Sequence, residues 1–77
     1  MPSFDRITSH PERMNGQPCV RDLRLTVRRV LEALATYSDR ADLFREYPEL
    51  DPEDIRQVLA YAVTALDDKV IDLPKSA

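Results

Sequence analysis

A single cysteine, Cys19, has no second thiol in the 77-residue chain, so no internal disulfide can brace the fold. One histidine, His10, beside that one cysteine argues against a structural zinc site, which needs about four such ligands. Glycine occurs once, at Gly16, and this scarcity removes the glycine-rich loops that cradle phosphate. No apolar run approaches the eighteen or so residues of a membrane span. The start, Met1-Pro2-Ser3-Phe4-Asp5-Arg6, lacks an apolar stretch followed by a small-residue cleavage site. Together these features lead to the expectation of a cytoplasmic protein with no membrane association. No nucleophile has a base at a supporting spacing, so the expectation is no enzyme, no cofactor and no metal.

What remains is 43% hydrophobic and 32% charged, an ordinary globular composition. Length permits one small domain, which hides only about 63% of its extended-chain surface on folding. Cores this small often lean on a disulfide, a metal or a partner. With the first two set aside, self-association is the support left, and a homodimer is expected.

The net charge of −3 conceals an asymmetry. Residues 1–30 carry +3, through six arginines, and residues 31–77 carry −6. The arginines of the front segment can meet phosphate or the acidic rear of a second copy.

Hydropathy patterning changes once along the chain. Phe4 to Thr8 alternates loosely, Asn15-Gly16 is a strong turn signal, and Val20 to Leu25 reads as a second short strand. A two-stranded ribbon is therefore expected within about 4–25. It is marginal alone, and two copies could share a sheet. From Val27 the period becomes helical, with Val27, Val30, Leu31 and Leu34 on one face and Thr26 as N-cap over about 27–37. Asp39 caps a second helix over about 40–47. Asp51, Pro52 and Asp54 open a third over about 52–66, with Leu50 and Ile55 as a hydrophobic staple. Its buried face is expected to hold Ile55, Val58, Leu59, Ala62 and Leu66, with Val63 on the margin. The fold class is mainly α: a compact three-helix core preceded by a short two-stranded β ribbon, as one domain over 1–68. The tail 69–77 carries Val70, Ile71 and Leu73, which can dock on a partner or on the domain itself.

Seven short motifs carry a family resemblance. Ile7-Thr8-Ser9-His10-Pro11-Glu12, Gly16-Gln17-Pro18-Cys19-Val20-Arg21 and Arg24-Leu25-Thr26-Val27 make up the front. Behind them stand Leu31-Glu32-Ala33-Leu34, the stretch from Leu43 through Tyr47-Pro48-Glu49-Leu50, Glu53-Asp54-Ile55-Arg56, and Leu59-Ala60-Tyr61-Ala62. The chain resembles the small DUF433 family over about Phe4 to Ala65. That resemblance implies a homeodomain-like three-helix core, and an antitoxin role beside a PIN-like ribonuclease toxin. The family usually has Gly-Thr-Arg where Asp22-Leu23-Arg24 stands, and a glycine where Tyr37 stands. The latter change implies either a different turn or a tyrosine strained at positive φ.

The expected function is a non-catalytic antitoxin-like protein that binds and restrains a PIN-like ribonuclease toxin, with transcriptional autoregulation as a companion role. Alternatives are a dimeric helix-turn-helix DNA-binding regulator, or a structural or adaptor module without DNA binding. Residues singled out for nucleic-acid or partner contact are Arg21, Arg24, Arg28 and Arg29 in the front, and Arg56 and Gln57 projecting from the third helix. Val70, Ile71 and Leu73 are the candidate partner-binding tail. His10 reads as a turn residue. Cys19 reads as a small core or interface residue, with a reactive thiol as the alternative. Asp51, Glu53 and Asp54 read as helix capping, with a divalent-metal cluster as the alternative.

Overall fold

Thr26, Asp39 and Asp51 each stand just ahead of a helix, and the computed structural model, which describes residues 4–67, begins all three helices there. Strands β1 (Ile7–Thr8) and β2 (Cys19–Val20) come first, separated by a 3-10 turn at Met14–Gly16. Helices α1 (Val27–Thr36), α2 (Arg40–Glu46) and α3 (Pro52–Asp67) follow. The fold is mainly α, three helices preceded by a two-stranded antiparallel ribbon, as its patterning implies.

The ribbon pairs Ile7 with Val20 and Thr8 with Cys19. Its turn works because Asn15 (φ 58°) and Gly16 (φ 76°) tolerate the left-handed region. A second copy is not needed to complete it. On the far side of β2, the Val20 N–H donates to the Leu25 carbonyl at 2.9 Å and the Val27 N–H to the Pro18 carbonyl at 2.9 Å. The outer edge of β2 is thus filled from within the chain, which leaves β1 as the edge through which a shared sheet would form.

Each cap satisfies helix-terminal N–H groups that would otherwise lack partners. The Thr26 hydroxyl accepts from the Arg29 N–H at 3.0 Å, and the Asp39 carboxylate from the Ala41 N–H at 2.9 Å. At α3 the box is reciprocal: Asp51 accepts from the Asp54 N–H at 2.9 Å, and Asp54 from the Asp51 N–H at 3.0 Å. Tyr37 ends α1 at φ −103°, its N–H donating to the Ala33 carbonyl. A different turn, not a strained tyrosine, replaces the family's glycine.

The core joins Val20 of the ribbon, Val27, Val30 and Ala33 of α1, Leu43 of α2, and Leu50, Ile55 and Val58 around α3. Cys19 is buried beside it. One expectation for α3 needs correcting. Ile55 and Val58 are buried, but Leu59, Val63 and Leu66 are 42%, 60% and 58% exposed. At 1.5 Å per residue α3 runs about 24 Å, against about 15 Å for α1 and about 10 Å for α2. Tyr61 on the same half of the helix still packs against the core, so the exposed three lie on an adjoining strip that the described residues leave open.

Candidate partner and nucleic-acid interface

Five of the six arginines of the front segment divide into two sets with different tasks, while Arg13 makes an exposed pair with Asp22 at 3.5 Å. Arg21 turns inward. Its Nε donates to Asp54 Oδ1 at 3.1 Å and its terminal nitrogen to Asp54 Oδ2 at 2.6 Å, a two-pronged grip. The same nitrogen donates to the Glu49 carbonyl at 2.9 Å. Arg6 reaches the same carboxylate at 3.1 Å and also pairs with Asp51. Asp54 is fully buried, and its two oxygens accept four hydrogen bonds from Arg6, Arg21 and the Asp51 N–H. The capping reading of Asp51 and Asp54 is thereby extended: Asp54 also ties the ribbon to α3. No group of three or more metal-ligating side chains suited to a cation occurs among the described residues.

Gln57 was expected to project outward, and the structure corrects this. It is 3% exposed. Its Oε1 accepts from the Arg6 N–H at 2.9 Å, while Nε2 donates to Asp5 at 2.6 Å and to Glu53 at 2.8 Å. A buried amide left without partners would be costly, and every bond it needs comes from within the chain. Arg56 does lie on the surface, but both prongs of its guanidinium hold Glu53 on the preceding turn.

Arg24, Arg28 and Arg29 form the outward set. All three are exposed, in the turn leading into α1 and in its first turn. Arg28 makes a loose pair with Glu32 at 3.5 Å, and among the described residues Arg24 and Arg29 have no acidic partner. Cations in the first turn oppose the helix dipole, so helix stability does not account for them. Arg24 is also held at φ 56° and Arg21 at φ 48°, which non-glycine residues adopt at a cost of about 1–2 kcal/mol each. The bend they create opposes their side chains: Arg21 is drawn to Asp54 and Arg24 is left in solvent. His10 is an exposed loop residue. Val70, Ile71 and Leu73 lie outside the described residues.

The carboxylates of the hub titrate low. Burial pushes the Asp54 carboxyl up, but the bonds from Arg21, the Asp51 N–H and Arg6 outweigh it and hold it below the usual range. Arg6, then the Asp54 N–H, holds Asp51 low as well. Arg56 and then Gln57 bring Glu53 down to about 2. Groups with depressed folded-state pKa values stabilise the fold above their unfolded values near about 4, and that contribution is lost as pH falls through the folded values. The urea midpoint should accordingly be flat from neutral pH to about pH 5 and fall below about pH 4. A midpoint constant down to pH near the Glu53 value of about 2 would contradict this account.

The described residues enclose no pocket, and no helix among them is long and apolar enough to cross a membrane. No curated protein and no solved structure matches the chain. Residues 7–62 match the family described as Protein of unknown function (DUF433). That span takes in the ribbon, the whole Arg6-neighbouring turn at Arg21–Arg24, α1, α2 and the capped half of α3. The chain belongs to the DUF433 family.

Proposed function

We propose that this chain is a non-catalytic, antitoxin-like protein of the cytoplasm that works as a homodimer and binds and restrains a PIN-like ribonuclease. The observation that carries the reading is the outward set Arg24, Arg28 and Arg29, exposed beside an inward set that is fully occupied. A nuclease that cuts phosphodiesters with metal ions presents carboxylates in its cleft, and guanidinium groups are the side chains best shaped to grip them. The family resemblance supplies the identity of the partner class.

Copurification of the chain with the protein encoded beside it, followed by a ribonuclease assay, tests the reading. The wild-type chain should suppress cleavage stoichiometrically. Arg24→Glu combined with Arg29→Glu should weaken binding by about a hundredfold, the effect of about two charge-assisted contacts. The fold should be unchanged, since both side chains are exposed. Undiminished cleavage at excess wild-type chain refutes the proposal.

A second reading, binding to its own promoter, is favoured by the same three arginines. It would rest on backbone phosphates and not on base edges. The start of α3, where a recognition helix would read bases, carries Glu53 and the buried Asp54. Salt-dependent retention of a promoter fragment, lost on charge reversal of Arg24 and Arg28, supports it. No retention at low salt rejects it.

A further inference from the structure

The chain has one asparagine and one glycine, and they stand side by side as Asn15 and Gly16. The pair lies in the connection between β1 and β2, where Met14, Asn15 and Gly16 all have positive φ, at 50°, 58° and 76°. From Ser9 to Gln17 every residue except the half-buried Gly16 is exposed. The Gly16 N–H donates to the Arg13 carbonyl at 2.8 Å and the Gln17 N–H to the Met14 carbonyl at 3.1 Å. The Ser9 hydroxyl donates to the Gly16 carbonyl at 2.7 Å. Opening this turn breaks those bonds but uncovers no core side chain, and segments of that kind open at far less cost than the whole fold. Met14, a non-glycine residue held in the left-handed region, favours opening further.

We propose that Asn15 is a self-modification site, which loses its side-chain ammonia to attack by the Gly16 nitrogen when this turn opens. In the closed turn the Gly16 N–H is held by the Arg13 carbonyl and does not attack. Once it is released, solvent hydroxide takes the proton and the nitrogen bonds to the Asn15 Cγ, unhindered because glycine has no Cβ. The Cγ–Nδ2 bond then breaks, Nδ2 takes up a proton and leaves as ammonia, and a five-membered succinimide remains. Water opens that ring at either carbonyl. Cleavage of the new N–Cγ bond leaves aspartate, and cleavage at the main-chain carbonyl leaves isoaspartate. Aspartate tolerates positive φ as asparagine does, so this product keeps the turn. Isoaspartate inserts a further backbone atom between the partners of both backbone bonds and loses them. Either product adds one negative charge to the arginine-bearing front segment.

Incubation of the full chain in mildly alkaline buffer, followed by intact mass and peptide mapping, reads the outcome. The folded chain should gain the mass difference between a hydroxyl and an amino group at Asn15, in both aspartyl forms. It should do so at least about tenfold more slowly than the same chain unfolded in urea, because the turn must first open. Ser9→Ala removes one exposed hydrogen bond from the turn and should speed conversion of the folded chain by about fivefold. Asn15→Gln should abolish it, since the longer side chain would have to close a six-membered ring. No conversion of the folded chain over a period that converts the unfolded chain completely overturns the proposal. Ammonia loss that persists in Asn15→Gln, or that maps to Gln17 or Gln57, also overturns it. Equal rates in the folded and unfolded chain, or in Ser9→Ala and wild type, reject opening of this turn as the route. The measurement needs neither a nuclease nor a second copy, so it stands whatever becomes of the proposed function.

Discussion

Asparagine in place of Asp54 is expected to destabilise the protein by about 3–4 kcal/mol, although it matches aspartate in shape. The reason lies in the four donors around the carboxylate. Oδ1 accepts from Arg6 and Arg21, and Oδ2 accepts from Arg21 and the Asp51 N–H. An asparagine amide must place its NH2 group at one of these positions, where it faces two donors whichever way it turns. Half of the capping box goes with it if the amide nitrogen replaces Oδ2. Arg6 and Arg21 retain 30% and 40% side-chain exposure and regain some hydration, which holds the loss to the lower part of the range for broken buried pairs. A chain of this length has about 4–12 kcal/mol of stability in all. Thermal unfolding should therefore shift by about 12–30 °C. Arg45→Ala supplies the contrast, since its pair with Asp42 is exposed and worth well under about 1 kcal/mol. Equal losses in the two variants would show that Asp54 is not the hub.

Leu43→Ala should cost about 3–4 kcal/mol through a different mechanism. Leu43 is fully buried and is the sole buried residue of α2, a helix of seven residues. Helices that short are unstable on their own and persist only through tertiary contact. Truncation would leave a cavity against Val30, Leu50 and the other core residues, and release the contact that orients α2. Urea denaturation followed by circular dichroism would show a lower midpoint. A loss below about 1 kcal/mol would mean that the site collapses around alanine, or that Phe44 and Tyr47 alone retain the helix.

These two variants probe different levels of information in the chain. The helix that carries the leucine was legible: the caps Thr26, Asp39 and Asp51 and the stripe Val27, Val30 and Leu34 all operate within about four residues. Patterns of that range are written in consecutive letters. The change of period at Val27 separated ribbon from helices for the same reason, and the observed helix limits differ from expectation by only a residue.

Long-range closure decided the rest. Arg6 lies 48 positions from Asp54 and Arg21 lies 33 away, and no local spacing joins them. The sequence marks all six front arginines alike. Only the folded backbone, with Arg21 at positive φ, brings Arg21 beside Arg6 on a buried carboxylate and leaves Arg24 in water. Gln57 looks like a surface polar residue until the N-terminal segment lies across it and takes up both ends of its amide.

The sequence by itself determined where the helices start and stop, which residues cap them, and that an apolar stripe runs the length of α3. Tertiary structure decided what each stripe and charge would meet. Periodicity states that a face is apolar, but its burial depends on which part of that face the neighbouring elements meet. Tyr61, further along α3 than Leu59, still packs against the core, so the face on which each residue stands divides them: Ile55 and Val58 became core while Leu59, Val63 and Leu66 remained at the surface.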